Sequence, residues 1–127
     1  MNVIGDGDRD RPSPEIRNTE TVIAYQWGDA SQGWHLLTSA ALDVLLERMP
    51  PSTSEIRHVH DRTSQFYFVL KGRATIDIGG TLVDLSANDG VEVPPGTEHQ
   101  IRNEASAALE FLVMSSGPPR ADRRDIP

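Results

Sequence analysis

Two histidines separated by one residue, His58 and His60, lie in the stretch "RHVHDRTSQFYFVLKG" that runs from Arg57 to Gly72. Side chains alternate faces along an extended strand, so both imidazoles point the same way, close enough to share one ion. Such a pair is half of a chelate. Further on, His99 follows a rigid "PPGT" turn and opens "HQIRN", which directs His99, Ile101 and Asn103 to one side. Between the two, "QFYFVL" places Gln65, Tyr67 and Val69 on one face and Phe66, Phe68 and Leu70 on the other, so an amide begins a face that otherwise reads as buried. The chain has no cysteine, which leaves imidazole, carboxylate and amide as the groups that could hold a metal. An isolated His-x-His also occurs on exposed strands and binds nothing there; the spacing of the other residues carries the argument further.

The elements that must position these residues are short and β-rich: "TVIAYQW", "WHLL", "LDVLLERM", "EIRHVH", "QFYFVLKG", "ATIDI", "TLVDL", "VEV", "HQIRN" and "LEFLVM". Turn chemistry separates them. Gly79-Gly80 supplies the positive φ angles of a two-residue hairpin between "ATIDI" and "TLVDL", and Asn88-Asp89-Gly90 and Pro94-Pro95-Gly96 mark two further turns. Only Thr38 to Leu42 hints at a helical turn. About ten short strands, with nine prolines and ten glycines among 127 residues, favour an all-β sandwich or barrel.

A chain of this length supports one domain with a real core. Composition divides it into a solvated tail over 1–18, a folded unit over 19–114 and a second tail over 115–127, both tails being rich in Asp, Gly, Pro, Ser and Arg. Twelve basic against nineteen acidic residues give a formal charge of −7, which repels phosphate backbones and anionic lipid, so nucleic acid and membrane are not expected partners. Lys71 is the only lysine, and all other bases are arginine, the better bidentate partner for carboxylates. The start of the chain lacks a basic segment followed by an apolar one, and a cytoplasmic location is expected. No P-loop, nucleophile elbow or dinucleotide-binding glycine fingerprint is present.

The pattern His58-x-His60-x4-Gln65-x6-Gly72, followed by Pro94-x-Gly96-x2-His99-x3-Asn103, resembles the two motifs of the cupin superfamily. Three positions depart from that pattern. Residues 51–54 fall where the first glycine is usual, with Ser52 at the matching offset. Asn88 stands where the second motif begins with glycine, and Gln65 replaces the usual glutamate. The resemblance implies a small jelly-roll β-barrel in which His58, His60, Gln65 and His99 converge on one divalent metal ion, the family's usual ions being iron, manganese, nickel, zinc, copper and cobalt. A glutamine ligand leaves the ion its full double charge, which makes it the stronger Lewis acid and, for iron, favours the reduced state. A similar His, His, Gln, His set occurs among small cupins acting on unsaturated uronates.

Three functions follow as expectations. The first is an isomerase or lyase in which the ion acts as a Lewis acid on a small substrate, anionic ones included, that bears a carboxylate or carbonyl. The second is an iron-dependent dioxygenase, and the third a non-catalytic module that binds a small ligand. Tyr67 shares the face of Gln65 and is the candidate general acid or base, with satisfied packing as its alternative. Trp27, Trp34 and Met49 could shape an apolar mouth or pack in the core. Arg48 and Arg57 could grip a carboxylate, although Arg57 alternates away from His58. His35 lies outside both motifs and reads as structural or exposed, Glu98 and Gln100 alternate away from His99, and Asn103 is expected to bond backbone. The outward Phe66, Phe68 and Leu70 need cover from a second sheet or a partner, and a homodimer is expected.

Overall fold

The computed structural model describes residues 13–127. Its strands are β1 (Tyr25–Trp27), β2 (Ser31–Thr38), β3 (Asp43–Met49), β4 (Thr53–Ser54), β5 (His58–His60), β6 (Gln65–Lys71), β7 (Ala74–Ile78), β8 (Thr81–Leu85), β9 (Gly90–Val93), β10 (His99–Asn103), β11 (Leu109–Ser115) and β12 (Arg123–Asp125). They form two antiparallel sheets, ordered β1-β2-β3-β11-β6-β9 and β12-β5-β10-β7-β8, with β4 beside β10. The fold is all-β, a jelly-roll barrel.

Strand alternation explains the interior. Along β6, Gln65, Tyr67 and Val69 are buried while Phe66 and Leu70 are 40% and 42% exposed on the outer face. Met49, Val69, Ile76, Ile101, Leu109 and Phe111 are fully buried and form the apolar floor between the sheets. Their burial is the main stabilising contribution, on the order of 2 kcal/mol for each large side chain. Both β6 and β10 start polar, with Gln65 and His99, and turn apolar or backbone-bonded further along, so the polar starts gather above the floor.

Turns hold the register. Gly79 and Gly80 take φ of 58° and 94° between Ile78 and Thr81, which pair across the hairpin. Asn103 bonds backbone as expected: its amide donates to Met49 O and Ala107 O, and its oxygen accepts from Ala105 N. Among the described residues, the two non-glycine residues with positive φ are Ser52 at 62° and Asn88 at 73°. These are the two positions where the motif pattern has glycine, and serine and asparagine hold there the left-handed conformation that glycine adopts without cost.

Four segments differ from the sequence expectation. Strand β1 covers only the end of "TVIAYQW", because Asn18 Oδ1 accepts from the Glu20 and Thr21 amides and folds the preceding residues into a turn. Strand β5 covers only the end of "EIRHVH". Thr38 to Leu42 is no helical turn: Ser39 Oγ donates to Leu42 O and accepts from Leu42 N, closing a tight β2–β3 connection. The expected tail over 115–127 also needs correction. Ser115 ends β11, Pro119–Ala121 forms a 3-10 turn, and β12 pairs with β5. Composition hides this, because the segment is anchored mostly by main-chain pairing and one aspartate, with Pro119 its one buried apolar side chain. Of the tail expected over 1–18, residues 1–12 lie outside the described residues.

Candidate metal centre

Three imidazoles meet at the polar end of the barrel. His58 on β5 and His99 on β10 are cross-strand partners, and His60 follows on the same face of β5. All three are buried, and their ligand-capable nitrogens lie within 4.8 Å of one another. Ring centroids are 4.3 Å apart for His58 and His99 and 5.1 Å for His58 and His60.

The outer nitrogens are all engaged, which decides the tautomers. His58 Nδ1 donates to Ile56 O at 2.9 Å and His99 Nδ1 to Thr97 O at 2.9 Å, since a carbonyl can only accept. His60 Nδ1 donates to Asp122 Oδ1 at 3.2 Å. Each Nε2 is left with its lone pair toward the centre, the arrangement usual for metal-ligating histidine. Burial, reinforced by the neighbouring imidazoles and Arg123, lowers His58 to about 3; burial outweighs the Thr97 hydrogen bond and lowers His99 to about 4. Both rings are therefore neutral near neutral pH and free to ligate.

Gln65 lies beside them. Its Nε2 donates to Ser115 Oγ at 3.0 Å, which aims Oε1 at His99 Nε2, 3.1 Å away. With His99 protonated on Nδ1, this contact sets one lone pair against another and is repulsive unless a cation lies between them. A cation shared by Gln65 Oε1 and His99 Nε2 would turn that contact into an attractive one. The residues thus fit a divalent ion by the chemistry of their donors. Among the described residues these three histidines are the cluster that could hold a metal.

The centre opens into a cavity of about 440 Å³. Tyr67 lines it, with its ring edge-on to His99 at 5.9 Å and stacked on Phe111 at 6.0 Å. Burial, with Glu55 and Glu47 nearby, holds the Tyr67 phenol well above its ordinary value. Trp27 also lines the cavity and donates Nε1 to Gln32 O, whereas Trp34 and Met49 are buried elsewhere. The arginines the sequence suggested are not there. Arg57 pairs with Asp77 at 2.8 Å and Arg48 is exposed; Arg120 and Arg123, from the segment read as a tail, line the cavity instead.

The wall facing the histidines was not legible in the motifs. It carries Tyr25, His35 and Glu47, which β1, β2 and β3 bring side by side. Tyr25 donates to Glu47 Oε2 at 2.9 Å, and its ring lies 4.6 Å from that of His35. The ring crosses over Gly33, where a Cβ would overlap Cζ and Oη of Tyr25. His35, read as structural or exposed, is half-buried with Nδ1 lacking a partner, while Arg120 Nη1 donates to its Nε2 at 3.4 Å. Burial pushes the Glu47 carboxyl up to about 7, against the lowering effects of Tyr25 and Arg123. Glu55, which accepts from Ile101 N, is pushed up to about 8 by burial and by Glu47. The signal that could have found this wall is an acidic residue at an inward position of β3 opposite a glycine on β2.

A family profile described as "Cupin domain" matches residues 45–115. The chain belongs to the cupin family. Among curated relatives, an uncharacterized protein of Methanocaldococcus jannaschii is 26% identical over 70 residues, covering 55% of this chain and 56% of that protein. The oxalate-binding protein of Thermotoga maritima is 32% identical over 85 residues, covering 63% of this chain and 70% of the relative. This cupin therefore spans little more than half the length of the first. The solved structure of KdgF from Halomonas sp. matches at a TM-score of 0.75 and 16% identity, over 86% of this chain and 99% of that one, which shows the shared fold. Among the described residues no helix is long and apolar enough to cross a membrane.

Proposed function

We propose that this cupin is a metal-dependent enzyme acting on a small carboxylate- or carbonyl-bearing molecule by isomerase or lyase chemistry, with His58, His60, Gln65 and His99 holding one divalent ion. The observation that carries this reading is the convergence of three buried imidazoles, with Gln65 beside His99, at the inner end of a ligand-sized cavity. A bound divalent ion with neutral ligands would serve as a Lewis acid. Arg120 and Arg123 place positive charge on the cavity wall, which favours an anionic substrate despite the acidic chain as a whole. Glu47, close to half-ionised near neutral pH, is suited to take a proton from carbon or oxygen and return it. Tyr67 stays a neutral phenol and donates a hydrogen bond to a substrate oxygen. On a substrate with a hydroxyl on the carbon next to its carbonyl, Glu47 takes that carbon's proton as the electron pair moves onto the carbonyl oxygen to give an enediolate; Glu47 returns the proton to the former carbonyl carbon, and the proton of the original hydroxyl passes to the former carbonyl oxygen as the hydroxyl carbon becomes the new carbonyl.

A second reading, a barrel that binds a small acid without turning it over, is favoured by one observation, the relative named for binding oxalate. Metal analysis of protein purified without chelator or affinity tag, followed by titration with oxalate and assay against enolisable keto acids and uronates, separates the two. Near-stoichiometric metal with hydrogen–deuterium exchange at substrate carbon supports the enzyme. Metal with oxalate binding but no exchange or turnover supports the binding module. No metal after reconstitution overturns the proposed centre. Iron together with substrate-dependent oxygen uptake would move the assignment to a dioxygenase. The half-exposed Phe66 and Leu70 support a homodimer paired through the outer face of β6, which sedimentation tests, and a cytoplasmic location belongs to the same proposal.

A further inference from the structure

His60 is held differently from its two companions. His58 and His99 donate Nδ1 to carbonyls two residues earlier, so their tautomers are fixed by their own strands. The partner of His60 is Asp122, 62 residues away in the segment that follows β11. The Asp122 side chain is only 6% exposed, and its oxygens are crowded with donors. Oδ1 accepts from His60 Nδ1 at 3.2 Å and from Thr63 Oγ1 at 3.0 Å, and Oδ2 accepts from the amides of Arg62 at 2.7 Å and Thr63 at 2.9 Å. Those donors belong to the loop between His60 and Gln65, so one carboxylate fastens the segment that joins two of the proposed ligands.

The rest of the segment is laid along the same strand. Ser116 and Ser64 bond each other, Ser64 N donating to Ser116 Oγ and Ser116 N to Ser64 O, both at 3.0 Å. Strand β12 pairs Arg123 with His60 and Asp125 with His58, and Ile126 N donates to Arg57 O at 2.7 Å. By contrast, the segment's three arginines, Arg120, Arg123 and Arg124, are exposed.

We propose that Asp122 is a positioning residue of the metal centre, and that through it the binding of a divalent ion and the docking of residues 116–126 are coupled. This rests on the metal reading above. The carboxylate keeps the proton of His60 on Nδ1 and Nε2 bare, and makes the ring a stronger donor to a cation. A cation on Nε2 in turn acidifies the Nδ1–H and tightens its bond to Asp122. Linkage requires reciprocity: if docking favours the ion, the ion favours docking by the same factor.

The test uses the full chain with Co(II) as the probe. Three readouts are taken: Co(II) affinity by chelator competition, the His60 tautomer by ¹⁵N NMR, and the rate of trypsin cleavage after Arg120, Arg123 and Arg124 with and without Co(II). In the wild type, Co(II) is expected to slow cleavage at these arginines about tenfold. Asp122→Asn should weaken Co(II) by roughly 10–100-fold, mix the His60 tautomers and remove most of the protection, with Asp122→Glu recovering part of each. Should Asp122→Asn fail to fold, the wild-type protection and Thr63→Val, which removes one bond to the carboxylate without touching His60, still decide the matter. Wild-type Co(II) affinity in Asp122→Asn, or cleavage that ignores Co(II), overturns the coupling while leaving the metal reading intact. A wild type that takes up no Co(II) at all sinks both.

Discussion

The two walls of the cavity are built on opposite principles. On the β5–β10 wall every outer nitrogen has a partner, Ile56 O, Thr97 O or Asp122, and the inner nitrogens are left bare in a fixed array. On the β1–β3 wall the polar atoms are satisfied by each other or not at all: Tyr25 bonds Glu47, Arg120 reaches His35, and His35 Nδ1 has no partner. The first wall fits a cation; on the proposed reading, the second exchanges protons. A site with both can polarise a substrate from one side and move its proton on the other.

The strongest way to break that division is to remove ligands from the first wall. His58→Ala with His99→Ala should abolish metal uptake, from near one ion per chain to none by elemental analysis. A double variant that keeps its metal would show that the histidines pack rather than ligate. On the second wall, Glu47→Gln is isosteric and should leave metal content unchanged while lowering turnover or substrate hydrogen exchange by roughly 10²–10⁴-fold. Equal loss of metal and activity would mean that the two walls do not divide the work.

The difference between the walls also explains what could be read in the sequence. His58, His60, Gln65 and His99 are legible because each sits at a set offset within one strand or from one rigid turn, so local spacing carries the geometry. Tyr25, His35 and Glu47 come from three strands, and only the pairing of Tyr25 with Gly33 and of Gly33 with Glu47 puts them together. No offset along the chain encodes that. Asp122 was lost for a related reason: polar composition suggests a tail, yet one carboxylate accepting four hydrogen bonds and the pairing of β12 with β5 anchor the segment with little apolar burial. The barrel itself was readable because inward and outward residues alternate along the central strands β6, β7, β10 and β11.

Gly33 offers a sharper probe of the second wall. In Gly33→Ala the new methyl group would overlap the Tyr25 ring, so the ring must leave Glu47 or the strands must part, at about 1–3 kcal/mol. Chemical denaturation should show the loss, and retained metal binding would confine the damage to that wall. Glu47 also gives the fold a pH dependence. Its carboxyl titrates at about 7 in the folded chain against an ordinary 4.5, so the folded state holds this proton more tightly. The resulting stability is present below pH 4.5 and is lost as pH rises through 7, about 2 kcal/mol once cavity water is allowed for. Tyr25, Arg123 and Asp43 are the groups that bias it. Denaturation midpoints of the metal-free protein between pH 4.5 and 7.5 should fall more steeply in the wild type than in Glu47→Gln, and parallel curves would place the proton elsewhere.

The smallest effect lies outside both walls and tests whether they are insulated from the turns that frame them. Ser52 holds a φ of 62° with its amide donating to Asn103 O at 2.8 Å. A β-carbon is disfavoured in that conformation, whereas glycine is not. Ser52→Gly keeps the amide and relieves the strain but enlarges the freedom of the unfolded chain, so the net gain should be about 0.5 kcal/mol. Asn88 at 73° should gain less from the same change, because asparagine tolerates the left-handed region better than serine. Denaturation midpoints can rank the two, with metal affinity expected to stay constant in both. A change in metal affinity at Ser52→Gly would show that strain in this turn reaches the histidines through β10, where Asn103 and His99 share one strand.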